Sequence, residues 1–141
     1  MNATPRHADA RIARIVTLFE QLEADAVAPL DEFYTLDARF KDPFNEVQGV
    51  TQVQRIFAHM FEALVDPRFV VHDILVEGDQ CFLTWDFVFR FRRFSSATQT
   101  VHGSSHLRLA GDGRIESHRD YWDAAGELYE KLPVLGSLMR W

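Results

Sequence analysis

The chain of 141 residues has a single cysteine, Cys81, so it can form no internal disulfide, and a reducing cytoplasmic setting is the expectation. Cys81 itself is expected inside a core strand, where free cysteine behaves as a small apolar residue. Positive charge is also short. Fifteen lysines and arginines face 21 aspartates and glutamates, and the net charge of -6 argues against nucleic acid or an anionic membrane as partner. Long apolar runs are missing as well: Arg6, Asp9, Arg11 and Arg14 interrupt the first twenty residues, which argues against a signal peptide, and no stretch could span a bilayer. Repeats, low-complexity tracts and linkers are absent, so one domain over residues 1–141 is expected. What the chain has in quantity is aromatic: twelve phenylalanines and three tryptophans within a 47% hydrophobic composition.

The first half reads as helical. Thr4-Pro5 suggests a helix start, and Ile12, Ile15, Val16, Phe19 and Leu22 continue at helical spacing, predicting a helix over 5–24. Leu30, Phe33 and Tyr34 predict a short second helix over 29–34, and residues 38–42 a short strand closed by Pro43. Thr51 and Gln54 form a capping-box pattern ahead of Val53, Ile56, Phe57, Met60, Phe61 and Leu64, with Asp66-Pro67 ending this third helix. His59 lies off that stripe and is expected in solvent.

After Pro67 the period changes to two, predicting four antiparallel strands over 69–77, 80–92, 99–109 and 114–122, joined at Glu77-Gly78-Asp79 and Gly111-Asp112-Gly113. In the second of these, Trp85, Phe87, Phe89 and Phe91 alternate with Thr84, Asp86, Val88 and Arg90, which puts the aromatic set on the helix side. Asp123 is expected to cap a helix ending at Pro133, followed by an apolar tail over 134–141. This order implies an α+β fold in which three N-terminal helices pack on the concave face of a cone-shaped, curved antiparallel sheet, leaving a conical pocket.

The last strand carries the chemistry. Alternation sends His118, Asp120 and Trp122 to one face and Ser117, Arg119 and Tyr121 to the other. An imidazole, a carboxylate and an indole on a buried face are costly unless paired or used. His102 and His106 have the spacing of a helical metal pair, but on a strand they lie about 13 Å apart and share no ion. The run Phe89-Arg-Phe-Arg-Arg-Phe94 alternates aromatic and basic groups, yet its phenylalanines belong inside and Arg90 and Arg92 outside, so no nucleic-acid surface is read from it.

Two stretches carry a family resemblance. Leu36-Asp-Ala-Arg-Phe-Lys-Asp-Pro-Phe44, followed by Gly49 and a helix, resembles the nuclear transport factor 2 superfamily, and within it the ketosteroid isomerase and SnoaL-like branches. Gly113-Arg-Ile-Glu-Ser-His-Arg-Asp-Tyr-Trp-Asp123 resembles the final strand of SnoaL-like proteins and of limonene epoxide hydrolase relatives. By the resemblance Asp42 takes the place of the isomerase base, but the isomerase's tyrosine and second aspartate fall on Leu18 and Ser105. Epoxide hydrolase chemistry fails at Gly103 and Ser105, where its Arg-x-Asp pair would stand. The SnoaL-like comparison implies a single acid/base aspartate in an apolar cavity, and it falls on Asp120.

The candidate catalytic residues are therefore Asp120, His118 and Asp42, with Trp122, Ser105, Trp85, Phe87, Phe89 and Leu18 lining the pocket. Ser105 and Gly103 are expected to leave room there. No metal or cofactor is expected; the expected ligand is a small apolar molecule of carbonyl type. Bland readings stand beside these: Asp42 as a turn starter, Asp120 as an ion-pair partner of Arg14 or Arg119, His118 as a satisfied core histidine, and the aromatic residues as ordinary core. Under them the chain is a non-catalytic binding or dimerisation module. Its outward sheet face, with Thr100, His102, Ser104, His106 and Arg108, would then make a homodimer.

Overall fold

A computed structural model describes residues 6–93 and 97–128. Helix α1 (Ala10–Glu20) begins later than expected, because Asp9 is its N-cap and accepts the Arg11 backbone N–H at 3.0 Å. Thr4 and Pro5 lie outside the described residues. Its buried face, Ile12, Ile15, Val16 and Phe19, is the stripe read from the spacing. The expected second helix is replaced by two 3-10 turns, Ala24–Ala26 and Ala28–Glu32, with Pro29 at a non-helical ψ of 17°. Tyr34, placed on that helix by its spacing from Leu30, instead opens strand β1 (Tyr34–Lys41) and is fully buried.

A tight turn leads from β1 to β2 (Glu46–Gln48), a three-residue strand too short for its period to register in the sequence. Helix α2 (Val50–Ala63) then starts from Gly49, whose φ of 102° is one that side chains rarely adopt. The Thr51 and Gln54 pair forms no capping box. The Gln54 amide instead donates to the Ala28 carbonyl at 2.9 Å, tying α2 to the second 3-10 turn. Asp66-Pro67 does not end the helix either. Strand β3 (Leu64–Glu77) takes over at Leu64, which pairs with Phe91, and Asp66, at φ 51°, sits in a register shift of that strand. Arg92 donates to the carbonyls of Phe61, Glu62 and Leu64, covering the acceptors that the helix end leaves open.

Strands β4 (Gln80–Phe91), β5 (Thr98–Leu109) and β6 (Ile115–Trp122) follow as an antiparallel meander. Asp123 caps α3 (Ala124–Leu128), accepting the Gly126 N–H at 2.9 Å; the expected end at Pro133 and the tail over 134–141 lie outside the described residues. The six strands form one curved, unclosed sheet in the order β2-β1-β6-β5-β4-β3. One pairing departs from the antiparallel expectation: β1 runs parallel to β6, because α2 carries the chain across to β3 and the meander returns beside β1 in the same direction. Helices α1 and α2 pack on one face of the sheet, so among the described residues ahead of β3 there are two α-helices and two 3-10 turns where three N-terminal helices were expected. Among the described residues no helix is long and apolar enough to cross a membrane.

The core lies between those helices and the inward residues of the meander, including Cys81, Leu83, Trp85, Phe89 and Phe91 on β4. Cys81 is buried as expected, which pushes its thiol up to about 11. His59 is exposed on the far side of α2. Gly103 pairs with Trp85 across β4 and β5, and a Cβ there would stand 2.4 Å from the indole. The room expected beside Gly103 is thus filled by Trp85. Gly103→Ala must displace that ring, and overpacking of this kind costs about 1–3 kcal/mol, to be read from the urea midpoint and from a shift in tryptophan fluorescence.

Candidate functional site

Strand β6 is placed so that its inward face meets both neighbours: His118 lies opposite Phe40 of β1 and Leu107 of β5, and Asp120 opposite Ser105. His118 is 4% exposed and Ser105 3%. These groups are joined by hydrogen bonds. Trp85 Nε1–H donates to Ser105 Oγ at 2.9 Å, and the Ser105 hydroxyl donates to Asp120 Oδ1 at 2.5 Å. From the other side His118 Nε2 meets the same Oδ1 at 2.6 Å, and Nδ1 of that ring meets the hydroxyl of Tyr34 at 2.7 Å. The imidazole is held by rings on three sides: Tyr34 stacks at 7° between planes, while Phe19 and Phe40 meet it edge-on. Burial, then the negative charge of Asp120, pushes the Tyr34 phenol well above its ordinary value, so it keeps its proton.

These residues open on a cavity of about 70 Å³ beneath the helices. Asp42, Ser105, His118 and Asp120 are its polar lining, and Trp85, Phe87, Phe89 and Trp122 are part of its apolar wall. Helix α1 contributes Phe19 to it. Leu18, the neighbour that gap-free counting selects, packs against the core outside this lining. Phe57, Met60 and Phe69 also line the cavity and went unselected, because as members of ordinary apolar stripes they carried no separate signal. Phe44 packs against Trp122 at 5.5 Å between ring centroids, and a shallow depression beside them shares Asp42, Asp120 and Trp122 with the cavity. Both carboxyl groups therefore stand where the cavity meets the surface.

Asp42 belongs to the β1–β2 turn, and the bland reading of it holds alongside its place in the cavity. Its Oδ1 accepts the backbone N–H groups of Phe44 at 2.8 Å and Asn45 at 2.6 Å, and the Asn45 amide bonds both oxygens. Burial nevertheless dominates and raises its carboxyl above the ordinary value, with the charge of Asp120 adding to the rise. Among the described residues neither Asp42 nor Asp120 is paired with an arginine or lysine. Arg14 lies over the Phe33 ring and donates to the Glu32 carbonyl, and Arg119 lies over the Tyr121 ring.

No set of three or more His, Cys, Asp or Glu side chains among the described residues is arranged to hold a metal ion. His102 and His106 face outward and away from the cavity, His102 on Asp86 and His106 on Gln80.

A family model for the SnoaL-like domain matches residues 15–118. The chain belongs to the SnoaL-like family. Solved structures support the fold at low sequence identity. A candidate SnoaL-like polyketide cyclase from Shewanella putrefaciens CN-32 aligns with TM-score 0.75 and 14% identity over 91% of this chain and 99% of that one. A protein with a ketosteroid isomerase-like fold from Catenulispora acidiphila DSM 44928, in complex with trimethylamine, aligns with TM-score 0.72 and 14% identity over 86% and 92%. TerC, co-crystallised with polyporic acid, aligns with TM-score 0.68 and 14% identity over 93% and 96%. No curated protein matches the chain.

The raised carboxyl of Asp42 gives a signed prediction. A carboxyl whose folded pKa exceeds its unfolded value stabilises the fold below the unfolded value and loses that contribution as pH rises through the folded one. Asparagine retains the Oδ1 acceptor of the turn without the charge. The melting temperature of Asp42→Asn relative to wild type should therefore climb as pH rises from the ordinary carboxyl value of 3.8 through the raised one.

Proposed function

We propose that this SnoaL-like protein is an acid/base enzyme acting on a small, largely apolar carbonyl compound. Two carboxyl groups in unlike environments, opening on one aromatic cavity and paired with no lysine or arginine among the described residues, carry the reading. Asp120, held by Ser105 and His118, acts as the base that takes a proton from the carbon next to the carbonyl. His118 orients Asp120 through Oδ1. Asp42, whose carboxyl holds its proton to higher pH than usual, donates toward the carbonyl oxygen. That division of labour serves an isomerisation, an aldol-type cyclisation or a hydration, according to what the substrate presents. The cavity favours a neutral ligand over an anion, since an anion would face Asp42 and Asp120 in an apolar surround. TerC, with polyporic acid, is an example of this fold with a small organic molecule bound.

The test begins with a panel of small ketones and enones, ranked by how far each raises the melting temperature. Exchange of their α-protons in deuterated water is then followed by NMR. Asp120→Asn should lower the exchange rate about 10²–10⁴-fold, the range of a lost general base. Asp42→Asn should lower it too, most strongly at low pH, where the native carboxyl is protonated. Unchanged exchange in both variants would overturn the assignment.

The outward sheet face supports a second reading, a homodimer. Leu75 and Phe82 pair across β3 and β4 on that face at 69% and 44% exposure, and Phe82 stacks on His106 of β5. Light scattering should give twice the chain mass, and Phe82→Asp should return it to one chain's mass while leaving the cavity's ligands bound.

A further inference from the structure

Tyr34 is the one member of the hydrogen-bonded chain that touches neither the cavity nor solvent, being fully buried behind His118 and absent from the cavity lining. Among the described residues its hydroxyl has a single hydrogen-bond partner, Nδ1 of His118 at 2.7 Å. A buried phenol must place its hydrogen on an acceptor, and Nδ1 is the acceptor present. If Nδ1 carried the hydrogen instead, the phenol could only accept from it, and its own hydrogen would have no acceptor among the described residues around a fully buried hydroxyl.

We infer that Tyr34 is a positioning residue that fixes His118 in the Nε2–H tautomer and so directs that hydrogen onto Oδ1 of Asp120. The catalytic consequence rests on the acid/base reading above; the tautomer does not. With Nδ1 occupied by the phenol, Nε2 is the donor, and its 2.6 Å contact with Oδ1 is a hydrogen bond to a carboxylate. The Ser105 hydroxyl donates to the same oxygen, its own oxygen taken by the Trp85 N–H. Both chains therefore end on Oδ1. Among the described residues Oδ2 takes no hydrogen bond, which leaves it as the oxygen free to exchange a proton with a ligand. Burial holds the Tyr34 phenol well above its ordinary value, so the hydroxyl keeps the hydrogen that it donates to Nδ1.

The experiment is long-range ¹H–¹⁵N correlation NMR of the full chain labelled with ¹⁵N-histidine, His118 being assigned by its loss in His118→Gln. In wild type, Nδ1 of His118 should resonate as an unprotonated imidazole nitrogen and Nε2 as a protonated one. In Tyr34→Phe the Nδ1 signal should move toward the averaged position of exchanging tautomers, while in Ser105→Ala, which touches only the other arm, it should stay. A protonated Nδ1 in wild type, or an Nδ1 shift unchanged in Tyr34→Phe, overturns the inference, and the wild-type spectrum decides alone if Tyr34→Phe fails to fold. With an exchanging ketone in hand, Tyr34→Phe should lower kcat with KM unchanged. A locked tautomer together with full turnover in Asp120→Asn would refute the acid/base reading and leave the role of Tyr34 standing.

Discussion

A carboxylate set into an aromatic wall is tolerated only if its charge is met by hydrogen bonds, and that requirement at Asp120 orders the rest of the site. Removing such a charge from water costs several kcal/mol, whereas each hydrogen bond to a charged group returns about 1.5–3 kcal/mol. Two donors on Oδ1 together with partial exposure bring these terms to the same scale. Each donor then needs its own support: Ser105 is held by the Trp85 N–H, and His118 by the Tyr34 hydroxyl and the rings of Tyr34, Phe19 and Phe40. Trp85 reaches Ser105 across a strand position where only glycine leaves space, so the constraint at Asp120 extends to Gly103.

Asp42 meets the same problem by other means. Its hydrogen bonds come from its own turn, in which two backbone N–H groups and the Asn45 amide converge on the carboxyl. These bonds favour the charged form, but burial and the neighbouring charge of Asp120 outweigh them. Two carboxyl groups that line one cavity thus differ in what holds them, and such a difference separates an acid from a base.

Much of this arrangement could be read from the chain. Period-two alternation put His118, Asp120 and Trp122 on one face and the β4 aromatic residues opposite the helices, because alternation in a strand is a geometric necessity. Boundaries were harder to read where two local rules competed. Asp66-Pro67 has the form of a helix terminator, yet Leu64 gains more by burying itself and pairing with Phe91, so the strand begins earlier and Asp66 is left in a bulge. Tyr34 was misassigned for a similar reason: its spacing from Leu30 fits a helix, and only the parallel pairing of β1 with β6, a contact 84 residues long in sequence, brings its hydroxyl to His118. A gap-free count to Leu18 missed Phe19 by one position, a shift that turns a helical residue by about 100° at 3.6 residues per turn.

The residues that set this chain apart from the better-defined chemistries of its fold have work of their own. Ser105 stands where the resemblance to ketosteroid isomerase would put a second aspartate, directly across the strand pair from Asp120. An aspartate there would set two carboxyl groups side by side, and one would have to keep its proton. Serine instead donates a neutral hydrogen bond and leaves the charge on Asp120. Gly103, where an epoxide hydrolase relative would carry a charged side chain, clears the way for the indole that orients that serine. Gly103 and Ser105 thus act together: the glycine leaves space for the indole that orients the serine, and the serine supports the Asp120 carboxyl, while under the acid/base reading proposed above Asp42 is the polar group left to meet a carbonyl oxygen.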